Sequence, residues 1–216
     1  MRFLIIGLLA IAIPLNGAGA DVADAAKARD AVAVRALLKQ GVDVNAAQGD
    51  GMTALHWAAT NGDAALTQML LSAGANVRAT TRLGGITAMH MASQGGHGQV
   101  VAALIAAGAD RNAPTTTGAT PLMLAARSGS AETVTKLVET GADINAKENG
   151  FGQTALMVAA GLDRADVVKL LLARGADWKA ASAVVDLQSL TASPMDDGSG
   201  RPQPAAAAPR GPDVAG

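Results

Sequence analysis

The sequence repeats one pattern of two short helices, in register, along most of its length. In its clearest copy, Thr120 can cap a helix with its hydroxyl, and Pro121 takes the first helical position, where a missing N–H costs nothing. Gly129 then ends this helix, and Gly141 ends a second one. Isolated helices shorter than about 12–15 residues are marginal in water. The pattern therefore predicts an all-α chain whose units stack against one another.

The spacing shows where the repeat varies in length. The step from each capping threonine to the glycine that ends the second helix is the same in all four copies: 53 to 74, 87 to 108, 120 to 141 and 154 to 175. The connection to the next threonine is one residue longer at 74–87 and 141–154 than at 41–53 and 108–120. A constant helix pair with a variable connection indicates packed helices and exposed hairpin tips. The repeat positions predicted to be structural are Thr53, His56, Gly74, Thr87, His90, Gly108, Thr120, Pro121, Gly141, Thr154 and Gly175.

Four runs of the chain resemble ankyrin repeats, among them TALHWAATNGDAALTQMLLSAGANVRA and TPLMLAARSGSAETVTKLVETGADINA. That family has a period of about 33 residues and a T-P-L-H-x-A pattern. The resemblance covers residues 20–180 and implies an all-α solenoid of helix-turn-helix units joined by β-hairpin-like loops. The predicted units are a degenerate N-terminal capping repeat at 21–52 and four repeats at 53–86, 87–119, 120–153 and 154–180.

The resemblance also suggests structural roles for the histidines. His56 and His90 occupy the TxLH position, which implies hydrogen bonds from one repeat to the next loop, whereas Met123 and Met157 replace them in the last two repeats. Adjacent repeats offer these histidines no third metal ligand, and the chain has no cysteine. No nucleophile–base pair is evident either. We therefore expect no catalytic residue, no metal site and no cofactor.

Residues 1–20 have the pattern of a secretory signal peptide. Arg2 precedes an apolar run at 3–15, and Ala18–Gly19–Ala20 matches an A-x-A cleavage site. A retained membrane anchor is the alternative, but a spanning helix needs about 20 apolar residues, more than this run supplies. The pattern predicts a periplasmic or secreted protein with no stable membrane anchor after cleavage. The alanine-rich, cysteine-free composition is typical of an exported bacterial protein.

The repeat pattern fails after residue 180. The apolar residues of 181–192 predict a short covering segment at the end of the array. Residues 193–216 contain five of the eight prolines and are predicted to be a disordered tail. Removal of residues 1–20 leaves 16 basic and 18 acidic residues, which argues against nucleic acid as a partner. We expect a monomer that binds an unidentified protein.

Partners of ankyrin repeats usually contact the hairpin tips and the adjoining face of the first helices, which points to a binding surface in this chain. Phe151 is the most informative candidate, because it is the only phenylalanine in residues 21–216 and falls on a predicted tip. Exposed aromatic and arginine side chains are typical of binding hot spots. The predicted tip residues are Asp50, Met52, Arg82, Leu83, Ile86, Thr116, Thr117, Phe151 and Gln153. The predicted helix-face residues are Thr60, Asn61, Gln94, Arg127, Ser128 and Leu162.

Three functions remain open from the sequence. The first is an exported, non-catalytic protein-binding scaffold. The second is an enzyme whose site is not recognisable, and the third is a secreted effector that binds host proteins. The lack of any polar cluster outside the repeat positions favours the scaffold over the enzyme.

Overall fold

The computed structural model describes residues 22–180, which form five helix pairs. The predictions for residues 1–20, 181–192 and 193–216 lie outside the described residues. Within 22–180, no helix is long and apolar enough to cross a membrane. The helices are α1 Val22–Lys27, α2 Ala31–Lys39, α3 Ala54–Asn61, α4 Ala64–Ser72, α5 Ala88–Gln94, α6 Gly98–Ala106, α7 Pro121–Ser128, α8 Ala131–Glu139, α9 Ala155–Gly161 and α10 Ala165–Ala173.

The helices stack in two layers. The first helices of successive pairs (α1, α3, α5, α7 and α9) pack in order along one layer, and α4, α6, α8 and α10 pack in order along the other. The core between the layers repeats one residue position per helix, as the period of the sequence predicts. Leu55, Met89 and Leu122 come from the first helices, and all three are buried. Leu104 and Leu137 fill the corresponding position in the second helices.

The helix starts follow the predicted capping chemistry. Thr87, Thr120 and Thr154 each accept a hydrogen bond from the backbone N–H three residues later. Pro121 is the first residue of α7, as predicted. Asp163 stands where the other repeats have a glycine, and its φ of 55° lies in the left-handed region. Arg29 does the same in the first helix pair, with a φ of 60°.

The connections between helix pairs are hairpin-like loops that contain no β-strand within residues 22–180. One backbone bond closes each loop below its tip. In the two shorter connections it joins the N–H of Gln48 to the carbonyl of Met52 and the N–H of Thr115 to that of Ala119. In the two longer ones the bonded partners lie five residues apart instead of four, at 81–86 and 148–153. The tip therefore absorbs the extra residue, which confirms the prediction from the spacing.

A second set of bonds links the bases of neighbouring connections. The Oδ1 atom of Asn45 accepts from the N–H of Asn76 at 2.7 Å, and Asn112 and Asn145 accept likewise from the N–H groups of Asp143 and Asp177. Arg78 occupies the same position in the intervening repeat. An arginine side chain has no acceptor, so it cannot make this bond.

The first helix pair is docked onto the next one by polar contacts. Trp57 donates its Nε1–H to Gln48 at 2.8 Å, and Gln48 donates to Asp24 at 2.6 Å. The ammonium group of Lys27 lies 4.9 Å from the centre of the Trp57 ring, a cation–π contact. In addition, Asn61 donates to the carbonyl of Ala26 at 3.1 Å. Residues 22–52 are thus attached to the next helix pair by side-chain bonds as well as by apolar packing.

Candidate protein-binding surface

Backbone hydrogen bonds join the four hairpin tips into one edge, which we call the tip edge. The N–H of Arg82 donates to the carbonyl of Asp50 at 2.9 Å, and the N–H of Thr116 donates to that of Gly84 at 3.0 Å. The N–H of Asn149 donates to the carbonyl of Thr117 at 2.9 Å. The tips therefore hold one another in place. Predicted binding residues from different repeats lie along a single surface.

Two large apolar side chains project from the tip edge. Leu83 is 84% exposed and Phe151 is 55% exposed. Asp50, Arg82, Thr116, Thr117 and Gln153 are also exposed. Monomeric proteins commonly expose single apolar residues. Here, however, both side chains stand on loops whose backbone is fixed, which lowers the entropic cost of contacting a partner.

Glu148 fixes the tip that carries Phe151. Its carboxylate accepts hydrogen bonds from the N–H groups of Gly150 at 2.5 Å, Phe151 at 2.6 Å and Gln153 at 3.1 Å. These bonds lower the pKa of Glu148 below its ordinary value, and the bond from Gln153 has the largest effect. Glu148 is not among the predicted site residues, although a glutamate two residues before a glycine in a loop is a recognisable signal for such a turn.

Two residues predicted for the tip edge are less accessible than expected. Met52 is only 7% exposed, so its prediction as a contact residue is wrong. The chain turns back toward the helix at this point: the N–H of Met52 donates to the side chain of Asp50, and its carbonyl accepts from Gln48. Ile86 is half-buried, and its carbonyl lies 3.1 Å from Nε2 of His56.

The helix-face residues divide into exposed and structural ones. Thr60, Gln94, Arg127 and Leu162 are exposed. Asn61 is half-buried and donates a hydrogen bond to the first helix pair, as described above, so its role is to link two repeats. Ser128 is half-buried too, and its hydroxyl donates to the carbonyl of Ala125 at 2.8 Å.

A groove on the last two repeats brings three of the predicted residues together. It has a volume of about 470 Å³. Its lining includes the predicted residues Arg127, Gln153 and Leu162, together with Arg164, which is not among the predicted residues. Arg164 donates its Nε–H to the carbonyl of Arg127 at 3.2 Å. We call this the arginine groove; the remaining lining residues are Met157, Val158 and Gly161.

A second cavity, of about 510 Å³, lies between the second and third connections. Val77, Arg78, Asp110 and Pro114 are among its lining residues. It is located where Arg78 interrupts the asparagine bonds. None of the predicted binding residues lines it.

His56 and His90 have the predicted structural role. In each, Nδ1 accepts from the backbone N–H of the capping threonine, at 3.2 Å from Thr53 and 3.1 Å from Thr87. A carbonyl can only accept, so Nε2 of each ring carries the proton. His56 donates it to the carbonyl of Ile86, and His90 donates it to the carbonyl of Ala113. Burial lowers the pKa of both rings. Both histidines are therefore neutral, and each links its repeat to the next loop through a hydrogen bond.

Among residues 22–180, no group of three or more His, Asp or Glu residues is placed to hold a metal ion. His97, the third histidine, has its Nε2 3.3 Å from the carbonyl of Thr60. It thus also contacts the backbone of the preceding repeat.

The stacked helix pairs and linked hairpin tips define a repeat solenoid, and comparison with known proteins identifies its family. A model of ankyrin repeats (three copies) matches residues 89–182, and a model of ankyrin repeats (many copies) matches residues 24–71. The chain belongs to the ankyrin-repeat proteins, an all-α solenoid class that generally serves as a scaffold for protein binding.

A curated relative matches a shorter stretch. The Ankyrin repeat and LEM domain-containing protein 1 homolog of Caenorhabditis elegans is 44% identical over 52 residues, which are 24% of this chain and 7% of that protein. The chain thus spans a small fraction of that relative's length.

Proposed function

We propose that this protein is an exported, non-catalytic scaffold that binds a partner protein through the tip edge and the adjoining face of the first helices. The observation that carries the proposal is the pair of exposed apolar side chains, Leu83 and Phe151, on tips fixed by backbone bonds. Rigid, exposed anchors of this kind are typical of binding hot spots. The scaffold acts as a monomer in this proposal.

The non-catalytic part of the proposal is supported by the histidines. His56 and His90 are buried, and both of their ring nitrogens have backbone hydrogen-bond partners. Neither ring is therefore placed to act as a general base for an outside substrate.

Export is supported by the sequence of residues 1–20 alone. If it occurs as proposed, mass spectrometry of the protein recovered from the periplasm or the medium will show Asp21 as its first residue. A recovered protein that still carries residues 3–15 would contradict both cleavage and release from the membrane.

Binding is tested by capturing a partner and then measuring its affinity for single variants. The bait is the chain from residue 21 onward, and titrations follow with Phe151→Ala and Leu83→Ala. We expect each to weaken binding by about 1–3 kcal/mol, the range of hot-spot truncations. Stability should change by no more than about 0.5 kcal/mol, as for most surface substitutions.

Leu172→Ala is the matched control for Leu83→Ala. Leu172 is also exposed but lies on α10, in the other helix layer. Its truncation should leave affinity unchanged. Equal losses from all three variants, or a large loss of stability for Phe151→Ala with unchanged affinity, would place the partner elsewhere.

A further inference from the structure

The arginine groove has a composition that restricts what it can bind. Arg127 lies in the last turn of α7, and Arg164 lies directly before α10. Met157 and Val158, from α9, also line the groove, and we call these two apolar residues its apolar floor. None of the lining residues is acidic. The groove thus combines two positive charges with an apolar surface.

The side chain of Arg164 contacts the backbone of Arg127. Arg164 uses only Nε, one of its three guanidinium nitrogens, to donate to the carbonyl of Arg127. The contact orients the Arg164 guanidinium against the end of α7, although both arginine side chains are exposed. Guanidinium groups bind carboxylates through paired N–H donors, and an arginine fixed in advance loses less entropy when it does so.

The neighbouring acidic residues do not pair with these arginines. Asp166, on α10, pairs instead with Lys169, at 3.6 Å. Asp163 directly precedes Arg164, but among the residues that the structure describes it forms no ion pair with either arginine. The acidic side chain of the adjacent hairpin, Glu148, is engaged by the backbone of its own tip. The guanidinium groups are therefore available to a carboxylate from a ligand.

We propose that the arginine groove binds a segment of a partner protein that presents an aspartate or glutamate next to an aliphatic or aromatic side chain. The carboxylate pairs with Arg127 and Arg164, and the apolar side chain contacts Met157, Val158 and Leu162. The apolar floor favours such a peptide over a phosphate backbone, which basic surfaces bind mainly by charge. This inference rests on the proposed function and specifies the chemistry of the partner at one part of the surface.

The test is a selection of random 12-residue peptides on the purified full chain, followed by fluorescence anisotropy with the enriched peptides. We expect enrichment of Asp or Glu within two positions of Leu, Ile, Val or Phe. Binding should weaken at least tenfold for the double variant Arg127→Gln, Arg164→Gln. Replacing the peptide's acidic residues by their amides should produce a similar loss.

Two controls separate a lost contact from a lost fold. Arg35→Gln with Lys39→Gln removes two exposed positive charges from α2 and should leave binding unchanged. Arg127→Gln alone keeps the backbone carbonyl that Arg164 contacts. It should therefore retain the wild-type circular dichroism and melting temperature while weakening binding at least threefold.

The outcomes distinguish this inference from the proposed function. Enriched peptides without acidic residues, or undiminished binding to the arginine variants, would overturn the arginine groove as the site. If those same peptides lose affinity for Phe151→Ala, the scaffold function stands without the groove. If no peptide binds the folded chain better than the heat-denatured chain, both proposals fail.

Discussion

The carboxylate of Glu148 accepts a hydrogen bond from the backbone N–H of Phe151 across 2.6 Å, and so fixes the loop from which the aromatic ring projects. The same carboxylate holds Gly150 and Gln153. One residue thus sets the conformation of a whole tip. The position of the exposed aromatic ring therefore depends on a charged side chain three residues earlier.

Glu148→Gln should loosen this tip without unfolding the array. An amide accepts weaker hydrogen bonds than a carboxylate does, so amide hydrogen exchange should become faster at Gly150, Phe151 and Gln153. Glu139→Gln removes a carboxylate from α8 that pairs with Arg174, and should leave those three amides unchanged. Unaltered exchange at the tip in Glu148→Gln would show that the turn residues alone fix the loop.

The same bonds give the tip a pH dependence. Because the folded-state pKa of Glu148 is lowered, its stabilising bonds are fully present above the ordinary glutamate value of 4.5 and are lost as the pH falls through the lowered value. Exchange at these amides, corrected for the intrinsic rate, should therefore rise only in strongly acidic solution.

The two buried histidines should make the array less stable as the pH falls below about 6.5. Burial lowers the folded-state pKa of His56 and His90, although hydrogen bonds to backbone groups and, to a smaller extent, the nearby charges of Asp50 and Asp110 partly oppose this effect. The unfolded chain therefore binds more protons in that range, and stability falls between the ordinary histidine value and the lowered one. Urea unfolding between pH 8 and pH 5 measures the slope.

His56→Met with His90→Met is the matched variant, because methionine already occupies this position at Met123 and Met157. The double variant should show a flatter dependence of unfolding free energy on pH in the same range. An unchanged slope would mean that other groups cause the acid sensitivity.

Ser93→Ala should stabilise the protein. The Ser93 hydroxyl is the buried side-chain polar atom without a hydrogen-bond partner within residues 22–180. The same position holds Ala59 and Ala126 in other repeats. Leaving such a group unpaired costs about 1–3 kcal/mol, so we expect a gain of about 1 kcal/mol in urea unfolding. The reverse change, Ala126→Ser, should lower stability by a similar amount, and a loss from Ser93→Ala would indicate a hidden partner.

Asp163→Gly should also stabilise the protein, because Asp163 has a φ of 55° that glycine adopts without strain. We expect a gain of about 0.5–1 kcal/mol in thermal or chemical unfolding. Asp166→Gly is the matched control, since the same substitution in the first turn of α10 places a poor helix former in the helix and removes a favourable charge. It should cost about 0.5–1 kcal/mol. Changes of the same sign would show that backbone conformation does not decide the effect.

The features that repeat could be predicted from the sequence, because the same residue types recur at the same positions in several copies. Constant spacing located the helix pairs and the variable tips. The burial of Met52 could not be predicted in this way. Its position holds Ile86, Ala119 and Gln153 in the other repeats, with exposure that differs from one to the next.

Contacts between dissimilar residues could not be predicted from the sequence either. Arg164 and Arg127 lie 37 residues apart and meet through a side chain and a carbonyl, and only the stacking geometry determines such a pair. The bonds among Asp24, Gln48 and Trp57 occur at one junction only. A repeating pattern carries no information about a contact that is made once.

The alternation of shorter and longer connections makes two repeats, not one, the natural period of the tip edge. Leu83 and Phe151 both stand on the longer loops, at 81–86 and 148–153, whereas the intervening loop carries Thr116 and Thr117. Duplicating a single helix pair would set two loops of the same length side by side. Duplicating a block of two would preserve the order and add one more apolar anchor, so an array lengthened by pairs could engage a longer partner with the same spacing of contacts.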